Sequence, residues 1–68
     1  MDMRRLVGNH VRRLRIARGL SQEQLSESSG FSQQYISDLE RGLRNPTVVT
    51  LFELSQALGV TPTDLIAP

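Results

Sequence analysis

The sequence predicts an all-α domain, a compact bundle of five short helices. Apolar residues recur at helical spacing, helix caps and glycine stops punctuate the chain at short intervals, and no segment shows the apolar–polar alternation of a strand. Between residues 4 and 18, Val7, Val11 and Leu14 fall within about 60° of one another on a helical wheel, one apolar stripe that Gly19 ends. Ser21 then opens Ser-Gln-Glu-Gln, a capping box in which Ser21 and Gln24 satisfy each other's free backbone donors, and a second helix over 22–28 stops at Gly30. Ser32 caps a third helix, 33–41, ended by Gly42. Arg44-Asn45-Pro46-Thr47 reads as a turn, with Thr47 capping a fourth helix, 48–58, before Gly59. Thr61, Pro62 at the first helical position and Asp64 three residues after the cap predict a fifth, 62–66.

The 68 residues are expected to form one domain, 1–68. A chain of this size buries only about 60% of the surface it exposes when unfolded. With no cysteine, neither disulfides nor thiolate metal ligands can reinforce it, so its stability must come from helix packing. No apolar run approaches the roughly 20 residues of a membrane span, and Met1–Gly8 lacks the apolar stretch of a signal peptide. The expectation is a soluble, cytoplasmic domain with no membrane contact.

Net charge is only +1, but it is unevenly distributed. Residues 1–20 hold six arginines against Asp2, whereas residues 21–68 hold Arg41 and Arg44 against six acids. All eight basic residues are arginine, the side chain best shaped to grip phosphate or carboxylate through two parallel hydrogen bonds. The asymmetry hints at a polyanion; a solvated helix face would produce it equally well.

The third helix is the most informative segment. On its wheel Gln33, Gln34, Ser37, Asp38 and Arg41 share one arc of about 140°, opposite Tyr35, Ile36, Leu39 and Glu40. Such a pattern suits any amphipathic surface helix. Its setting is more specific, because two short helices around a tight glycine-containing turn present the second helix to a DNA major groove.

Residues 22–41, QEQLSESSGFSQQYISDLER, resemble the helix-turn-helix of the XRE family, the lambda-repressor-like and Cro-like DNA-binding proteins. Leu25 stands at the apolar fourth position, Ser26 at the small position where the helices touch, Gly30–Phe31 at the turn, and Ile36 and Leu39 at the apolar anchors. The resemblance extends through LRIARGLSQEQL and LERGLRNPTVVTLFELSQALGV, covering about Val7 to Ile66. Ser29 departs from the usual alanine, which is expected to loosen the junction slightly; Asp38 places an acid on the reading face.

The resemblance implies a five-helix lambda-repressor-like domain that binds double-stranded DNA and regulates transcription, as a repressor. Gln33, Gln34, Ser37 and Asp38 would face bases. A glutamine amide can pair with N6 and N7 of adenine, although glutamine near a helix start is also unremarkable. Asp38 would either accept from a cytosine N4 amine or serve to exclude wrong sites. Gln22, at the positive end of the second helix, suits a phosphate, and Ser32, Arg41, Arg44 and Asn45 complete the expected backbone-contacting set. The resemblance also pairs Arg15 with Glu40. Each lies at the edge of an apolar stripe, where a desolvated charge needs a partner; two independent exposed side chains are the alternative.

One reading helix spans few base pairs, so the expected partner is a two-fold symmetric operator bound by a homodimer, with Val60, Pro62, Leu65 and Ile66 at the contact. The expectation excludes cofactors, metals and catalysis. His10 is the only histidine, no spacing argues for a nucleophile and base, and so small a bundle has little room for an enclosed substrate pocket. Two rival readings are a helical protein-interaction module using Ile16, Val49 and Phe52, and a plasmid, phage or antitoxin control circuit that keeps DNA binding.

Overall fold

In the computed structural model, which describes residues 2–68, five helices run in order: α1 (Met3–Ala17), α2 (Gln22–Ser29), α3 (Gln33–Glu40), α4 (Val48–Leu58) and α5 (Pro62–Ile66). The last two match the sequence-predicted bounds, and the differences elsewhere have local causes. Helix α1 begins one residue early because the Asp2 carboxylate accepts from the Arg4 N–H. It ends at Ala17, where Arg18 becomes the cap residue. Helix α2 runs on to Ser29, and Arg41 caps α3 rather than extending it.

Three helix ends close by the same reversal, with the cap glycine and its successor donating back into the last turn. Gly42 N–H donates to Leu39 O and Leu43 N–H to Asp38 O; Gly19–Leu20 and Gly59–Val60 repeat the pattern. The α2–α3 joint is tighter. Gly30 sits at φ +82°, where a side-chain-bearing residue would be strained, and two residues later the Ser32 hydroxyl accepts from Tyr35 N–H to start α3. Ser26 Oγ donates to Phe31 O across this turn, and Ser29 Oγ accepts from Phe31 N–H at 3.3 Å. The hydroxyl expected to loosen the junction instead engages a backbone donor there.

Val7 and Val11 of α1, Leu25 of α2, Ile36 and Leu39 of α3, Leu54 and Leu58 of α4 and Leu65 of α5 form a single core. Burying a residue of this type stabilises by about 1.5–3 kcal/mol, and every helix contributes at least one. Helix α1 packs against α3 and α5, α2 against α3 and α4, and α4 against α5. The α1–α3 crossing is very close: a Cβ placed on Gly8 would collide with the Leu39 carbonyl oxygen. Helix α3 is therefore seated backbone-to-backbone on α1, leaving its opposite face open.

Candidate nucleic-acid interface

Ile36 and Leu39 are fully buried and anchor α3, while Gln33 and Gln34 one turn earlier are exposed. Gln22 from the start of α2 joins Gln33, Gln34 and Ser37 in lining one shallow depression. Four side chains expected to face DNA thus lie together across both helices of the turn. Asn45 does not join them; it lines a separate depression with Met3, Arg4, Val7 and Pro46. Ser32 is exposed, with its hydroxyl engaged in capping α3.

Behind this surface lies a closed ion pair. Arg15 donates from Nε to Glu40 Oε2 at 2.6 Å and from a terminal nitrogen to Oε1 at 3.0 Å, two parallel bonds between side chains only 12% and 3% exposed. Its other terminal nitrogen donates to Leu20 O at 2.8 Å, tying in the α1–α2 joint. The bond to Glu40 raises the Arg15 pKa against the opposing effect of burial, holding the guanidinium charged. Gln22 Nε2 also donates to Glu40 Oε1, at 3.2 Å. A side chain expected to reach outward to phosphate is therefore bonded inward, linking the start of α2 to the end of α3.

In front lies a second, open cluster, which sequence reasoning did not assemble. Asp38 Oδ1 accepts from Arg41 at 2.7 Å and from Gln34 Nε2 at 2.9 Å, while Arg44 Nε stands 3.5 Å from Oδ2. The reversal at Gly42 brings Arg44 back along α3, where its guanidinium lies 5.3 Å from the Tyr35 ring centroid. That ring stacks on Phe31, their centroids 5.2 Å apart. The Arg41 bond first, then that of Gln34, holds the Asp38 carboxyl below its ordinary pKa. The two arginines remain 60% and 50% exposed, against 17% for Asp38. A readable signal existed: Gln34, Asp38 and Arg41 are spaced i, i+4 and i, i+7 along one helix face.

Three of the remaining arginines make local contacts. Arg13 donates to His10 Nδ1, Arg18 reaches Gly59 O, and Arg5 packs beside Gly42. His10 Nε2 donates in turn to Ala67 O at 2.7 Å, tying α1 to the residue after α5. Among the described residues, no group of histidines and acids could hold a metal, and no helix is long and apolar enough to cross a membrane.

Against this geometry, a helix-turn-helix family pattern matches residues 11–65. The chain belongs to the XRE-type helix-turn-helix family. Over all 68 residues it is 62% identical to an uncharacterized HTH-type transcriptional regulator of Sinorhizobium fredii, covering 88% of that protein. It is similar to the crystal structure of the restriction-modification controller protein C.AhdI from Aeromonas hydrophila (TM-score 0.88, 40% identity, 91% of this chain and 94% of that one). It is similar also to the biofilm master regulator SinR solved in complex with DNA (TM-score 0.83, 32% identity, 87% of this chain and 95% of that one). Its relatives are DNA-binding transcription regulators rather than enzymes.

The surface expected for dimerisation needs one correction. Leu65 is fully buried, because α5 turns it into the common core, and it is unavailable to a partner. Val60 is half-buried, whereas Pro62 and Ile66 are exposed. The apolar residues of the rival interaction reading, Ile16, Val49 and Phe52, are all exposed.

Proposed function

We propose that this domain is a transcriptional repressor that binds double-stranded DNA with α3 in the major groove, as a homodimer on a two-fold symmetric operator. The observation that carries this reading is the two-sided construction of α3. Ile36 and Leu39 fix the helix in the core, while Gln33, Gln34 and Ser37 present hydrogen-bonding groups beside the start of α2. Gln33 and Gln34 read base edges, and Ser37 and Asp38 face bases at the same surface. Arg41 and Arg44 contact phosphates; Ser32, Gln22 and Asn45 lie at the edges of the footprint, with Gln22 leaving Glu40 to do so.

The size of the domain suits a dimer on adjacent turns. Its extents of 29 × 22 × 21 Å allow two copies, side by side, to place their reading helices one DNA turn apart, roughly 34 Å. Similarity to a restriction-modification controller favours a control circuit as the biological setting of the same activity.

The test is a salt titration on two duplexes, one selected by the protein from a random library and one scrambled. Gln33→Ala or Gln34→Ala should cost about 1–3 kcal/mol on the selected duplex and relax the choice of base at one position. Affinity for the scrambled duplex should barely change, since no charge is lost. Arg44→Ala should weaken binding to both and flatten the slope of log affinity against log salt by roughly one. If both glutamine variants keep the full preference for the selected duplex, α3 does not read sequence through its amides. Selected sites without two-fold symmetry would count against the dimer.

A further inference from the structure

Of the side chains on the open face of α3, Asp38 alone carries a charge that DNA repels, yet it is the most connected. One carboxylate takes two guanidinium groups and one amide, from Arg41, Arg44 and Gln34. These are two of the residues assigned to phosphates and one assigned to bases. Each arginine has N–H groups to spare for a phosphate, but drawing either one outward to the DNA backbone loosens its hold on Asp38. Moving Gln34 onto a base removes a partner. The carboxylate cannot follow them, because it is seated on the helix with 17% of its side chain exposed and the phosphates repel it. Free in solution it would be repaid by water, but against a groove that displaces much of that water its remaining donors are those of the DNA itself. In the major groove those donors are exocyclic amines, cytosine N4 and adenine N6; guanine and thymine offer acceptors there.

Resting on the DNA-binding reading above, we propose that Asp38 sets specificity by exchange. In the free domain it holds Arg41, Arg44 and Gln34. On DNA it gives them up and is compensated only where the facing base presents an exocyclic amine. At a site without that amine the carboxylate is left unpaired, or the arginines stay with it and the phosphate contacts are not made. In either case the wrong duplex is bound less well. Asp38 acts here as a specificity-determining residue by coupling the phosphate contacts to a base contact, a role distinct from simple reading and from simple repulsion.

Asp38→Asn tests this, since it keeps shape and an acceptor but removes the charge. On a scrambled duplex in about 0.1 M salt, affinity should rise roughly three- to tenfold, and the salt slope should steepen by up to about one, as freed arginines reach phosphates. The preference for the selected over the scrambled duplex should fall. Sites selected by Asp38→Asn should lose a requirement for cytosine or adenine at one position that sites selected by the wild type hold. Adding Arg44→Ala to Asp38→Asn should cancel much of the gain on scrambled DNA. An unchanged or reduced affinity of Asp38→Asn for scrambled duplex overturns the exchange, as does a gain with no relaxation at an amine-bearing base. A wild-type domain that binds neither duplex overturns the DNA-binding reading itself; the other outcomes strike the exchange alone.

Discussion

Helix α3 carries two carboxylates two residues apart, Asp38 and Glu40, and each is bound by arginine. They point to opposite sides of the helix and do different things. Glu40 faces α1 with a side chain only 3% exposed, meets Arg15 in two parallel bonds and also accepts from Gln22. Asp38 faces outward, accepting one hydrogen bond from Arg41 and lying in an ion pair with Arg44, both of which stay half or more exposed. The same pair of residue types makes a fixed joint where water is excluded and an exchangeable contact where water competes. In a buried pair, removing one partner leaves an uncompensated charge, whereas at the surface solvent takes the vacated place.

The largest expected break in this comparison comes from Glu40→Ala. Stranding Arg15, which would keep only its bond to Leu20 O, should cost about 3–5 kcal/mol. Native domains have only about 5–15 kcal/mol in total, and at the low end expected of so small a core such a loss is close to unfolding at room temperature. Thermal denaturation checks it, and a variant melting within a degree or two of the wild type would show the pair to be dispensable. Asp38→Asn should by contrast leave the melting temperature nearly unchanged, its effect appearing in DNA binding.

Gly8→Ala should come next. Alanine is the better helix former by about 1 kcal/mol, yet its Cβ would meet the Leu39 carbonyl oxygen, so the helices must part. A net loss of about 1–3 kcal/mol is expected, with the Arg15–Glu40 joint strained by the same displacement. Should this variant prove more stable than the wild type by the same denaturation assay, the close α1–α3 seating would be wrong.

The smallest effect is acid sensitivity. The folded-state pKa values of Asp38 and Asp64 are both lowered, Asp38 first by Arg41 and Asp64 first by the backbone N–H of Thr61. A lowered folded pKa means stabilisation that is present above the unfolded aspartate value of about 3.9 and is lost as pH falls through the folded value. Melting temperature should therefore drop below about pH 4. Asp64→Asn, which resembles the protonated acid at every pH, should shrink that drop by slightly lowering the melting temperature above pH 6 while leaving the acid value in place, and Asp38→Asn should do likewise. An acid limb identical in both variants would assign it to other groups.

The five helices were legible because their signals are local. Capping boxes at Ser21–Gln24 and Thr61–Asp64, and glycines after four of the helices, act within one turn of chain, and the structure contains each of them. The core was legible for the same reason, since Val7, Val11, Ile36 and Leu39 repeat at helical spacing. Leu65 was misplaced because a five-residue helix has too few positions for periodicity to show which side faces inward. The polar face of α3 could be drawn on a wheel from sequence alone. The wheel does not show which polar groups are already bonded to one another.

The sequence by itself determined where the helices start and stop to within a residue, the apolar stripes by which α1 and α3 enter the core, and that α3 presents amides beside a turn. Tertiary structure alone decided that Gln22 turns inward to Glu40, that Arg44 folds back beside Asp38 and Tyr35, and that Gly8 is a point of helix contact rather than a weak spot in α1. Helix signals and apolar stripes arise between residues a few positions apart, whose distances the backbone geometry fixes in advance. The partners of Gln22 and Gly8 lie 18 and about 30 residues away along the chain, and only the packed fold sets those separations.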